Sequence, residues 1–126
     1  MGMQIGLNVK RELLLKAELH RIVPIIKKLG VDKIILFGSL NEKKVGKSSD
    51  IDIAIIWNTR KSFSDRLEEL YTTVMPKLAI DFFVYTPSEI KKLEKTSHFV
   101  KKMLEKGKII YETGKEKRGR SLVNAG

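Results

Sequence analysis

Cysteine is absent from this 126-residue chain. That excludes disulfides, thiol nucleophiles and thiolate zinc sites together, and it suits a cytoplasmic protein. Histidine is scarce too: His20 and His98 have no partners at ligand spacing and read as surface or packing residues. No apolar run approaches the roughly 20 residues that a membrane span needs, so no membrane role is expected. The first 15 residues lack an apolar signal core and a small-residue cleavage site, which argues against secretion. Gly6 stands where a myristoylation signal wants Ser or Thr. Acids are outnumbered by Lys and Arg, 15 to 25, for a net charge of +10. Such a field attracts nucleotides, nucleic acid or acidic partner surfaces. Nucleic acid is the less favoured partner, because most of the nine aromatics (five Phe, three Tyr, one Trp) fall inside apolar runs. Proteins that grip bases expose aromatics within their basic patch.

What remains is an ordinary globular composition, 42% hydrophobic and 32% charged, at the length of one domain. Helical spacing of Leu15, Leu19, Ile22, Val23, Ile26 and Leu29 predicts a helix over residues 9–29, kinked or broken at Pro24 and stopped by Gly30. Residues 33–37 form a β-branched run and predict a buried strand. Gly38-Ser39 then turns the chain into one helical turn near residues 40–44, followed by a loop over 45–49. A second strand is expected over residues 51–57. A helix capped by Ser62 or Ser64 should run to about Val74, ended by Pro76. The third strand spans residues 78–85. Thr86-Pro87-Ser88-Glu89 opens a helix to about Lys95, another follows over 97–106, and residues 108–112 suit a short edge strand. No repeat interrupts this order. It predicts an α+β fold, a mixed sheet with helices packed on one face. Residues 1–113 read as a single domain and 114–126 as a basic, flexible tail.

Three acids carry the chemistry. Alternation in a strand sends Asp50 and Asp52 to one side while Ile51, Ile53 and Ile55 bury on the other. Two such carboxylates repel each other unless a divalent cation supplies positive charge. Alone they read equally well as solvated acids at a strand end. Asp81 shifts the balance, because it interrupts the apolar run of residues 78–85, where an unpaired carboxylate would be costly. Three carboxylates on neighbouring strands can hold the two Mg²⁺ ions of an in-line phosphoryl or nucleotidyl transfer. Gly38 would let a phosphate approach the backbone, and Ser39 adds a hydroxyl beside helix N-terminal amides. Lys43, Lys44 and Lys47 are solvated loop lysines by default, though one of them could reach a triphosphate. Gly46-Lys47-Ser48 mimics the end of a P-loop but has Asn41 where that motif needs glycine, and it leads into a strand instead of a helix.

The pattern Phe37-Gly38-Ser39, a spacer of about ten residues, then Asp50-x-Asp52 in an apolar strand resembles the DNA polymerase β-like nucleotidyltransferase superfamily. Asp81 matches its third carboxylate. Length and the segment after Asp81 make the chain similar to minimal nucleotidyltransferases, often the antitoxin halves of HEPN toxin pairs. The resemblance covers residues 34–90 and implies a nucleotidyltransferase fold. It implies that Gly38, Ser39, Lys43 and Lys47 bind nucleotide phosphates, that Asp50 and Asp52 hold both metals, and that Asp81 holds the catalytic metal and helps deprotonate the acceptor. In this chain Leu40-Asn41-Glu42 stand where many minimal members have small and basic residues.

The expected activity is Mg²⁺-dependent transfer of a nucleoside monophosphate, AMP from ATP before another NTP, to a hydroxyl, with release of pyrophosphate. A partner protein is the expected acceptor. The alternative is an antitoxin that neutralises a HEPN-type toxin by binding, with little or no catalysis. A DxD glycosyltransferase is disfavoured by the short chain and leaves Asp81 unexplained. Few residues remain beyond Asp81, too few for a second core. A HEPN-type partner or a second copy of the chain should therefore close the site, docking near residues 40–49.

Overall fold

A computed structural model describes residues 6–114. In chain order the elements are α1 (Leu7–Lys27), β1 (Lys33–Phe37), α2 (Gly38–Glu42), β2 (Ile51–Ile56), α3 (Phe63–Val74), β3 (Ile80–Tyr85), α4 (Pro87–Thr96), α5 (His98–Lys106) and β4 (Lys108–Glu112). The strands form one sheet in the order β3-β2-β1-β4. β2 is antiparallel to β1 and parallel to β3, and β4 runs antiparallel to β1 as an edge. The fold is α+β with a mixed sheet, as the order of elements predicts.

The helices cover both faces of that sheet, which corrects the expectation of one. Ile34 and Leu36, Ile51, Ile53 and Ile55, and Ile80, Phe82 and Val84 share a core with Leu15, Ile22 and Ile26 of α1 and Leu70 and Val74 of α3. The intervening positions Ile35, Phe37, Ala54, Phe83 and Tyr85 pack under α4 and α5 against Ile90, Leu93, Val100 and Met103. The reason lies in the strands. β1 is apolar at both parities and β2 nearly so, and a strand of that kind needs cover on both sides.

Local signals place the ends. Ser62 caps α3 by accepting from the Asp65 amide. Thr86 and Glu89 form a reciprocal capping box at α4 with Pro87 in the first turn. Glu89 also receives a two-pronged bond from the buried Arg66, at 2.8 and 3.0 Å, tying α4 to α3. α1 continues through Pro24 to Lys27 and is not broken there. The Pro24 carbonyl still accepts the Lys28 amide at 3.3 Å, so the helix is closed beyond the missing donor. Buried Glu18 of α1 accepts from Arg21 at 2.8 and 2.9 Å and from the Lys77 amide, fastening α1 to the lead into β3. These bonds hold its carboxyl down to about 2. The basic tail lies, from residue 115, outside the described residues.

Candidate active site

The sheet register decides which acids meet. Asp52 pairs directly with Asp81 across the parallel β2–β3 ladder, and Phe37 stands opposite Asp52 on β1. These three positions share the α4–α5 face, with the two acids at the starts of β2 and β3. Asp52 is partly buried and Asp81 is exposed on an edge strand. Burial, then the charges of Asp81 and Asp50 and a hydrogen bond to Asp81, push the Asp52 carboxyl up to about 6. The premise that Asp81 is sunk in an apolar strand is therefore corrected. It is the second residue of β3, solvent reaches it, and its significance comes from register with Asp52.

Asp50 precedes β2, and its carboxylate faces α1, where Arg11 Nη2 lies 3.8 Å from Oδ1. Arg11 Nε also donates to the Ser49 carbonyl at 3.0 Å. Nothing in the sequence patterns singled out Arg11, which lies about 40 positions away on the first helix. Among the described residues no three acids or histidines are gathered as a ready cation cage. Asp52 and Asp81 stand side by side across the β2–β3 ladder, and Asp50 lies two residues before Asp52 with its own cationic neighbour. An all-oxygen donor set of this kind is the chemistry that hard divalent cations take.

Gly38 is needed for two reasons. Its φ of +77° is left-handed, and a Cβ there would overlap the Asp52 carboxylate, approaching Cγ to 3.0 Å. The bare backbone of the β1–α2 turn thus presses directly on the central acid, an approach only glycine allows. Ser39 follows as the second residue of α2, half-buried. Lys43 ends α2 in a left-handed conformation at φ 59°. Lys43 and Lys47 are exposed on the loop, which closes through a Ser49 Oγ bond to the Gly46 amide at 2.8 Å.

Two further features border the acids. Tyr71 on α3 donates to the Ile80 carbonyl at 3.0 Å, immediately before Asp81. Burial raises its phenol, and the Asp81 charge adds to that. On the opposite flank a groove of about 440 Å³ runs between α2 and α5. Phe37, Gly38, Phe99 and Met103 supply its apolar lining, and Lys102, Lys106, Glu42 and His98 are among its polar residues. Phe99 is 47% exposed although its ring sits 5.8 Å from Phe37 and 5.3 Å from Phe83. Most of the aromatics are expected in the core; Phe99 is outside it, as are Phe63 and Tyr71. Phe99 lies in a helix whose inward face is taken by Val100 and Met103.

Comparison with known proteins gives this arrangement a context. Residues 20–116 match the family model described as "Polymerase beta, Nucleotidyltransferase". No curated protein matches the sequence. Among solved structures, a Sulfolobus solfataricus protein provisionally named a nucleotidyltransferase, determined at 1.40 Å, is similar in fold. The TM-score is 0.60 at 13% identity, over 87% of this chain and 91% of that one. The family model spans most of the chain, from the second half of α1 past β4, and takes in all three acids and the Gly38-Ser39 turn. The chain belongs to the polymerase β nucleotidyltransferase family.

Proposed function

We propose that the chain transfers a nucleoside monophosphate, AMP from ATP in the first instance, to a hydroxyl group on a partner protein. The observation that carries this reading is the register pairing of Asp52 with Asp81 against the bare backbone of Gly38. Asp50, Asp52 and Asp81 would hold Mg²⁺, whose charge, when bound, would offset the negative charge that develops on the transferring phosphoryl group. The donor set supports that assignment, since crowded acids that raise one another's pKa are what a cation relieves.

The protein's own groups supply the rest. The open turn at Gly38-Ser39 gives the triphosphate a place to meet backbone amides and the Ser39 hydroxyl, and Lys43 and Lys47 stand on the neighbouring loop. The groove beside Gly38 offers an apolar wall with Lys102 and Lys106 among its polar residues, which suits a nucleotide. In the transfer, the acceptor oxygen bonds to the α-phosphorus while the bond to the departing pyrophosphate breaks. The acceptor proton passes to an Asp81 carboxylate oxygen, which is exposed on the edge strand and open to an incoming hydroxyl. Preorganised charge, with little covalent participation by the protein, is the usual basis of phosphoryl transfer.

The test is incubation with Mg²⁺, labelled ATP and the product of the neighbouring gene. Asp52→Asn and Asp81→Asn should each lower transfer at least about a hundredfold, with the Asp52→Asn fold at least as stable as the parent because acid repulsion is relieved. Full activity in either variant removes the acids from the mechanism. The open β3 edge equally suits a HEPN-type toxin held by contact. A tight complex that takes up no label would favour that antitoxin role over catalysis.

A further inference from the structure

Asp50 is the one acid of the three that lies outside the sheet ladder, which begins at Ile51. Its position therefore depends on the loop before β2 and on what that loop touches. The contact is Arg11, which makes two attachments from α1. Nε–H donates to the Ser49 carbonyl at 3.0 Å, and Nη2 stands 3.8 Å from Asp50 Oδ1. The Arg11 side chain is 22% exposed and that of Asp50 is 40% exposed. Ser49 is independently clasped, its Oγ by the Gly46 amide and its own amide to the Gly46 carbonyl at 3.2 Å. The guanidinium is thus anchored by a fixed carbonyl, and its charge lies beside Asp50.

We propose that Arg11 is a positioning residue that stands in for a divalent cation at Asp50, balancing the acid cluster until the cation arrives and then competing with it. The inference rests on the reading of Asp50, Asp52 and Asp81 as a cation site. Charge at this place has a reason in the geometry, because Asp50 stands two residues before Asp52, which is paired in register with Asp81. Held through Nε at the Ser49 carbonyl, the guanidinium stands beside Asp50, so it offsets the Asp50 charge without capping Asp52 or Asp81. Removing it leaves Asp50 without that cation and the cluster more negative, which favours any divalent ion that can enter.

The experiment uses the full chain and Mn²⁺ alone, with free Mn²⁺ counted by electron paramagnetic resonance and thermal unfolding followed with and without chelator. In Arg11→Gln, Mn²⁺ should bind about 2- to 5-fold tighter than in the parent, the range expected for a partly exposed ion pair. The variant should melt lower than the parent in chelator and recover most of the difference on adding Mn²⁺. Arg11→Lys keeps the charge and should stay close to the parent in Mn²⁺ affinity. In an Asp50→Asn background the Arg11→Gln effect on Mn²⁺ affinity should vanish. Unchanged or weaker Mn²⁺ binding in Arg11→Gln, or a melting loss that Mn²⁺ leaves in place, means that Arg11 merely braces the Ser49 carbonyl and overturns the proposal. No Mn²⁺ binding by either protein overturns the cation site itself, and this inference with it. None of these readouts needs transferase activity, so a protein that binds Mn²⁺ as described but transfers nothing would refute only the enzymatic reading.

Discussion

Asp52 and Glu18 are displaced from the ordinary acid range in opposite directions, and the contrast shows how neighbours decide a residue's part. Asp52 is held up at about 6 by burial and two nearby acids. Glu18, more deeply buried, is held down to about 2 because the Arg21 guanidinium and the Lys77 amide bond its charged form. Glu18 is a fastening and Asp52 a site. The sign of the Glu18 effect on stability follows directly. A folded value below the unfolded one adds stability that is complete above about 4.5 and disappears as pH falls through about 2. Glu18→Gln should cost about 1–3 kcal/mol at neutral pH, the loss expected for hydrogen bonds to a charged group. It should also flatten the acid limb of the stability profile between pH 4.5 and 2. Urea unfolding of both proteins across that interval checks it, and an unchanged slope would assign the acid limb to other carboxylates.

At the scale of elements, α5 does two jobs with two faces. Val100 and Met103 close the core over Ile35 and Ala54, while Phe99 and Lys102 turn toward the groove beside Gly38. Ala54 is fully buried in that core. If the groove receives the nucleotide, Phe99→Ala should raise the KM for ATP about 5- to 100-fold, the range for a lost base–aromatic contact. It should leave kcat and Mn²⁺ affinity near the parent values. Steady-state kinetics at varied ATP separates this from a folding defect, and an unchanged KM would place the base elsewhere. α4 carries no such double duty. Its capping box and the Arg66–Glu89 fork are structural, fixing the helix against α3.

At the scale of the whole molecule, Asp81 lies open on the β3 edge, and α4 and α5 cover one face of the sheet. Water that reaches Asp81 would weaken the electrostatics on which transfer depends. A partner or second copy that covers the acids near residues 40–49 should therefore raise activity. A net charge of +10 should make its arrival fast and sensitive to salt. Specific activity should fall on dilution and on raising salt from about 50 to 500 mM, a range across which screening shortens several-fold. Activity independent of both, on a free small-molecule hydroxyl, would show that a single chain is sufficient by itself.

The order of elements, their caps and the two halves of the Gly-Ser and Asp-x-Asp pattern were legible along the chain, because each depends on neighbours a few residues apart. Period-2 alternation placed Ile51, Ile53 and Ile55 in the core opposite Asp52, and the structure agrees. Thr86, Pro87 and Glu89 announce a helix start wherever they occur together. The placement of helices on both faces was present in the double-sided apolarity of β1 but is decided by packing, since a strand does not state what covers it. Tertiary structure alone decided three things. It set Asp81 beside Asp52 by parallel register and at the open edge, not within an apolar interior. It brought Arg11 to Asp50 across nearly forty positions. It left Phe99 facing solvent. Each depends on which segments, far apart in sequence, meet and which surface is left over, and no local spacing encodes that.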